Sequence, residues 1–273
     1  MSLLSIMSWN MHQQHSNWAT VLNSGVDVAL LQEAKPPPLN LRKKISSDFE
    51  GIWGDSETFW CAAVAGLSNR IEFIPIGTQP LESFEEDLLR VSYPGTISAA
   101  EVVIKETNEK FILISLYARW ERPIMKKRPL FADASAHRLI SDLSAFLGWI
   151  RNNRVIVAGD LNILYGYGEY DNNYWKKRYD TVFDRMDTLG LRFVGPQAPN
   201  GKQATPWPEE LPKDSLNVPT YRTRKNKPET ATRQLDFVFA SEDIAPRLTV
   251  SAANSEAEWG ASDHCRVFID LNY

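Results

Sequence analysis

The 273-residue sequence is poor in cysteine and histidine, with two of the first, Cys61 and Cys265, and four of the second. Two cysteines in a chain this long build no disulfide framework, and they show no metal-ligand spacing. No stretch approaches the ~18 consecutive apolar residues that a membrane-crossing helix requires. The opening "MSLLSIMSWNMHQQHS" lacks a basic start, serines interrupt its apolar run, and no small-residue cleavage site follows. That argues against a secretory signal, and a cytoplasmic protein is expected. Repeats, low-complexity blocks and long flexible linkers are also missing, so one domain over residues 1–273 is expected. A compact fold of this length buries roughly 75% of the surface that its unfolded chain exposes, enough for one large core. Nor is there an excess of positive charge: 30 Lys and Arg stand against 34 Asp and Glu, a net charge of −4. This argues against a protein that coats nucleic acid wholesale. It leaves room for a local basic rim and for carboxylates that hold metal.

What the sequence does contain is a series of short apolar runs. Residues 3–9, 26–32, 58–66, 70–76, 97–104 and 110–117 read as strands, favoured by β-branched and aromatic content. A short helix is expected around 16–24, and "KPPP" at 35–38 forbids regular structure. In residues 132–151, Leu139, Ile140, Leu143, Phe146, Leu147 and Ile150 recur at helical spacing and predict an amphipathic helix. It leads into "RVIVAGDLNIL" (154–164), an apolar strand that breaks at Gly159 and presents Asp160 and Asn162. A further helix is expected over 178–190, a long proline-rich loop over 196–219, and strands at 234–241, 247–252 and 265–271. Many strands with few helices between them suggest packed sheets with helices outside.

The polar residues gather at strand ends. The first strand leaves Asn10, the second Glu33, the sixth Tyr117, the seventh Asp160 and Asn162; "QLDF" contributes Asp236, and "SDH" gives Asp263 and His264. In a shared sheet these ends can converge. Glu33, Asp160, Asn10, Asn162 and Asp263 are hard oxygen ligands suited to Mg²⁺ or Mn²⁺ rather than zinc. His264 has a candidate orienting carboxylate in Asp236, the pairing a general base for water needs. Metal-assisted attack of water on a phosphodiester uses all of these parts. Singly, each has a plainer reading: Gly-Asp favours turns, Asn10 caps, and Tyr117 belongs to a core. The pattern as a set carries the argument.

"SWN" (8–10), "LLQE" (30–33), "SLY" (115–117), "VAGDLN" (157–162), "QLDFVFAS" (234–241) and "SDH" (262–264) stand in the order and approximate spacing of the endonuclease/exonuclease/phosphatase superfamily. The chain resembles that superfamily from residue 8 to residue 264. The resemblance implies an α/β fold, a four-layered sandwich of two packed, mostly antiparallel sheets flanked by helices, with the site at one rim. It implies Glu33 as principal metal ligand with Asn10 beside it and Asp263 completing the metal-side carboxylates. Asp160 would orient the attacking water, Asn162 would contact phosphate or stabilise the transition state, and His264 paired to Asp236 would manage protons or charge. Tyr117 is similar to the tyrosine of exonuclease-III-type AP endonucleases, where deoxyribonucleases of the pancreatic type carry histidine. "ATRQLDFVF" departs from the "PAWCDRIL"-like stretch of inositol phosphatases. The start reads "WNMHQ" rather than "WNxDG", so His12 stands where AP endonucleases have an aspartate.

Three segments bear on the substrate. Residues 165–179, "YGYGEYDNNYWKKRY", hold five of the nine tyrosines, with Tyr174, Trp175 and Lys176 as candidates for stacking on bases and meeting phosphates. Residues 220–233 include Arg222 and Arg224, and "MKKR" at 125–128 follows Tyr117 and Arg119. Basic segments beside the motifs favour a nucleic acid substrate, DNA over RNA. The expectation is an Mg²⁺- or Mn²⁺-dependent nuclease acting on DNA. An RNA nuclease, or a hydrolase of a small phosphoester or lipid headgroup, is the alternative.

Overall fold

The computed structural model describes residues 3–54, 61–121 and 131–273. In chain order the elements are β1 (Leu3–Asn10), α1 (Asn17–Leu22), β2 (Val28–Gln32), α2 (Phe49–Trp53), β3 (Ala63–Gly66), β4 (Ile71–Ile76), β5 (Thr78–Pro80), β6 (Leu89–Val91), β7 (Ile97–Ile104) and β8 (Lys110–Tyr117). There follow α3 (Asp133–Leu143), α4 (Leu147–Arg151), β9 (Val155–Asp160), α5 (Asn173–Leu189), β10 (Leu191–Gly195), β11 (Asp236–Ser241), β12 (Leu248–Ala253) and β13 (Arg266–Asn272). One sheet has the order β12-β13-β1-β2-β3 and the other β10-β11-β9-β8-β7-β4; β5 and β6 form a small separate pair. All pairings within the two large sheets are antiparallel except β1 with β2 and β8 with β9.

The layers follow from side-chain alternation. Leu4 and Ile6 of β1, and Val28 and Leu30 of β2, face the other sheet, where they meet Phe111, Leu113, Ile156 and Ala158. The intervening residues face outward: Met7, Trp9, Ala29 and Leu31 pack on Trp18 and Val21 of α1, while Ile112, Ile114, Val155 and Val157 pack on Leu139 of α3 and Val182 of α5. With both faces of each sheet covered, these strands read as nearly unbroken apolar runs. The result is the expected four-layered α/β sandwich.

Several expected boundaries shift. The helix expected over 132–151 is two, α3 and α4, joined by a 3₁₀ turn at Ser144–Phe146. Ser144 Oγ donates to Ser141 O and Ser141 Oγ to His137 O, side-chain bonds that compete with regular helix geometry. The helix expected over 178–190 begins earlier, at Asn173. Asn172 caps it by accepting from Tyr174 N at 2.8 Å, and Gly190 ends it with a positive φ of 96°. Strands β5, β6 and β10 carried no sequence expectation. Of the strand expected over 58–66, Ala63–Gly66 is observed and residues 58–60 lie outside the described residues, as does the basic segment 125–128. Among the described residues no helix is long and apolar enough to cross a membrane.

Candidate active site

The two parallel pairings set where the polar strand ends go. In register, Asn10 lies opposite Gln32, next to Glu33, and Tyr117 lies opposite Asp160, so four candidate residues leave one rim together. β11 runs antiparallel to β9 and starts there, pairing Asp236 with Asp160. β13 runs antiparallel to β1, which places the segment before it, with Asp263 and His264, at the same rim. The chain crosses between β8 and β9 closely: a Cβ built on Gly159 would sit 1.9 Å from Leu116 O, so no side chain fits there.

At the centre, Asn10 Nδ2 donates to Asp160 Oδ2 at 3.0 Å and to Glu33 Oε1 at 3.3 Å. Tyr117 OH donates to the same Glu33 oxygen at 3.2 Å. Asn162 donates its backbone N–H to Asp160 Oδ1 at 2.9 Å and its side-chain amide to Asp160 Oδ2 at 3.1 Å and Ala118 O at 3.0 Å. The amide that the resemblance turns toward phosphate is thus committed to holding Asp160. His264 Nδ1 lies 2.8 Å from Asp236 Oδ2, and its Nε2 faces Asp160 Oδ2 at 3.7 Å. With Nδ1 protonated, the ring donates to Asp236 and points its second nitrogen at Asp160. Glu33 and Asn162 adopt positive φ, 46° and 51°. Asn tolerates this well; for Glu it stores strain of the kind that collects at functional sites.

Electrostatics follow from burial. Asp160 is buried, which pushes its carboxyl up to about 7 against the favourable charge of His264. Burial also raises Glu33, despite its bonds from Asn10 and Tyr117. Burial alone would lower His264, but the charges of Asp236 and Asp160 overcome it and hold the imidazole up at about 10. Tyr117 is raised by burial and by the charges of Glu33 and Asp160, so it stays a phenol and a donor. Three carboxylates, Glu33, Asp160 and Asp236, therefore share one cationic partner, and Asp236 Oδ1 is buried without a hydrogen bond among the described residues. Asp160, Asp236 and His264 offer ligand atoms all within 4.8 Å of one another. An uncompensated acidic set of hard oxygen donors fits a divalent cation, and the fit rests on that charge deficit.

Other expected residues take different places. Arg119 stacks on Tyr93, its guanidinium carbon 4.2 Å from the ring centroid, and its charge reaches Tyr117. Tyr174, Trp175 and Lys176 are not joined to the central cluster by any bond or ring contact among the described residues. Trp175 packs on Phe131 and Tyr179, with centroids 5.6 and 6.0 Å away, and Lys176 pairs with Asp180 at 2.6 Å. Of the five tyrosines in 165–179, Tyr165, Tyr167 and Tyr179 serve the core, leaving Tyr170 and Tyr174 exposed. Arg222 is occupied by backbone: its Nη1 donates to Asn226 O at 2.7 Å and its Nη2 to Ser262 O at 3.3 Å. Arg224 is exposed.

Sequence reasoning missed the supports of His264. Tyr221 lays its ring 5.0 Å from the imidazole. Trp9 Nε1 donates to His264 O at 3.0 Å, and Ser262 Oγ donates to Asn10 O at 2.7 Å while accepting from His264 N. Trp9 and Ser262 lie inside the "SWN" and "SDH" motifs, a signal that was available. Tyr221 had none beyond the basic residues around it.

No family model and no curated protein matches the chain. Solved structures do. An AP endonuclease from Leishmania major superposes with a TM-score of 0.65 at 14% identity over 99% of this chain and 88% of that one. An AP endonuclease from Archaeoglobus fulgidus gives 0.64 at 16% identity over 99% and 100%. A 3′ phosphatase from Neisseria, solved with a product DNA hairpin, gives 0.62 at 16% over the same shares. The chain has the endonuclease/exonuclease/phosphatase fold.

Proposed function

We propose that this protein is a divalent-metal-dependent phosphodiester hydrolase, a nuclease acting on DNA. The observation that carries the reading is the Asp236–His264–Asp160 line, set against Glu33, Asn10 and Tyr117 at one rim. The fold shared with proteins described as DNA-processing enzymes supports it. Glu33 and Asp263, with Asn10 beside them, would hold Mg²⁺ or Mn²⁺ at the edge of the Asp160–His264–Asp236 line. Bound there, the ion would supply Lewis-acid polarisation of a phosphoryl oxygen and offset the acidic charge.

The chain's own residues do the rest. Asp160, already high in pKa, takes the proton of the attacking water, while Asn10 and Asn162 fix its carboxylate in orientation. His264, kept cationic by Asp236, places positive charge beside the group on which negative charge develops. Tyr117 donates to Glu33 and holds that ligand in place. Arg119, Tyr174 and Arg224 belong to this reading as groove residues that meet the polymer beyond the scissile phosphate, while Trp175, Lys176 and Arg222 are held by Tyr179, Asp180 and backbone carbonyls.

The experiment is cleavage of end-labelled single- and double-stranded DNA and RNA with Mg²⁺, Mn²⁺ or EDTA, beside His264→Ala. We expect DNA cleavage that EDTA abolishes and that the substitution lowers by about 10²–10³-fold. Folded, metal-supplied protein that cleaves no polymer would overturn the reading.

A further inference from the structure

His12 follows Asn10 by two residues, and its position is tightly prescribed. Its backbone N–H donates to Asn10 Oδ1 at 2.9 Å, and the next residue, Gln13, donates its N–H to Glu33 O at 3.0 Å. The loop therefore hangs between two residues of the acidic site. It bends there through positive φ at both His12 (46°) and Gln13 (55°). This bend directs the imidazole at Asp263: Nδ1 lies 3.1 Å from Asp263 Oδ1. That oxygen is buried, yet it accepts no hydrogen bond among the described residues, so the ring approaches it without the alignment a hydrogen bond requires.

Two donor atoms about 3 Å apart but not aligned on one another have the separation of adjacent ligands around a cation held at about 2.1 Å. The pair also lies within electrostatic reach of the site, since Asp263 acts on both Glu33 and His264. It is more open to solvent than the rest: the His12 side chain is 27% exposed and that of Asp263 13%, against 5% for His264. The outer edge of the site thus offers a second imidazole nitrogen beside a carboxylate, more open to solvent than that of His264.

We infer that His12, with Asp263, is a direct nitrogen ligand to the divalent ion of this site and biases the protein toward Mn²⁺ over Mg²⁺. Mg²⁺ takes oxygen ligands and gives up water reluctantly, whereas an imidazole donor favours the transition ion. The inference rests on the metal-dependent reading above and adds the identity of the preferred ion.

The test is Mn²⁺ binding to the full chain, read by pulsed electron paramagnetic resonance for ¹⁴N modulation from a bound imidazole and by competition with Mg²⁺. Wild type, His12→Gln, His12→Asp and His264→Gln are compared, with circular dichroism to confirm folding. We expect Mn²⁺ to bind the wild type at least about tenfold more tightly than Mg²⁺, with ¹⁴N modulation. The modulation should vanish in His12→Gln and persist in His264→Gln, and His12→Asp should narrow the Mn²⁺/Mg²⁺ ratio. Mn²⁺ bound without modulation, or modulation surviving in His12→Gln, would overturn the role of His12 and leave the metal-dependent reading standing. Absence of any Mn²⁺ or Mg²⁺ binding would bring down both.

Discussion

At the scale of single residues, the decisive group is His264. Burial works against its proton, and the two carboxylates at 2.8 and 3.7 Å, with a smaller contribution from Asp263, keep the ring cationic. In metal-free protein its ring resonances should titrate far above the ordinary 6.5, toward about 10, and Asp236→Asn should bring them down sharply. Nuclear magnetic resonance of the imidazole in EDTA reads this directly, and a wild-type ring that titrates near 6.5 would refute it. Because the folded value is the raised one, the stability that His264 contributes is complete below about 6.5 and is lost as pH rises toward about 10. Asp160, raised to about 7, acts in the same sense while no cation is bound. The sequence exposed these residue types well, because each sits beside a strand end that its apolar pattern marks. It could not reveal which hydrogen bonds they make. Asn162 holding Asp160, and Tyr117 holding Glu33, are facts of register between strands far apart in the chain.

At the scale of elements, the segment 165–179 shows how composition misleads. Aromatic and basic residues crowded after "GDLN" suggest a stacking surface. Instead Arg178 ties α5 to α3, and Tyr165, Tyr167 and Tyr179 pack into the core. Arg178 donates from Nε to Asp133 Oδ2 at 2.7 Å, with Nη2 at 2.5 Å from the same oxygen. Its guanidinium also lies over Phe131, Tyr174 and Trp175. Asp133 is almost fully buried at the first turn of α3, so the pair ties two helices whose apolar faces already meet. Arg178→Ala leaves that carboxylate buried and unpaired. It should cost about 2–3 kcal/mol, below the full range for a broken buried pair because a third of the Arg178 side chain remains in solvent. Arg178→Lys should recover only part, since one ammonium cannot take both bonds. Urea unfolding midpoints measure this, and an unchanged midpoint in the alanine variant would contradict it. The helix start was missed for a related reason: Asn172 reads as loop composition until its side chain is seen to cap Tyr174 N. β10 was invisible because five residues after a helix carry too little pattern of their own, and pairing with β11 makes the strand.

At the scale of the molecule, the fold was legible because nearly every strand alternates between two buried faces, and six motifs fix the order in which the chain returns to one rim. A net charge of −4 over the whole chain looks unfavourable for binding a polyanion, yet the distribution matters more than the sum. The loop after Tyr221 begins in contact with the site, through the Tyr221 ring on His264 and the Arg222 N–H on Asp263 O at 2.9 Å. It then carries Arg224 and Lys225 outward, both exposed, while Arg222 is spent on backbone carbonyls. A polymer lying across the rim would meet Arg224 and Lys225; a small phosphodiester confined to the acidic centre would not. The double variant Arg224→Glu/Lys225→Glu should therefore weaken oligonucleotide binding and lower the slope of log affinity against log salt by about 1–2. Hydrolysis of a small chromogenic phosphodiester should be unchanged. Fluorescence anisotropy across a salt series measures the slope. Were it the same in wild type and variant, the polymer would have to follow another face, and the basic loop would be solvated surface.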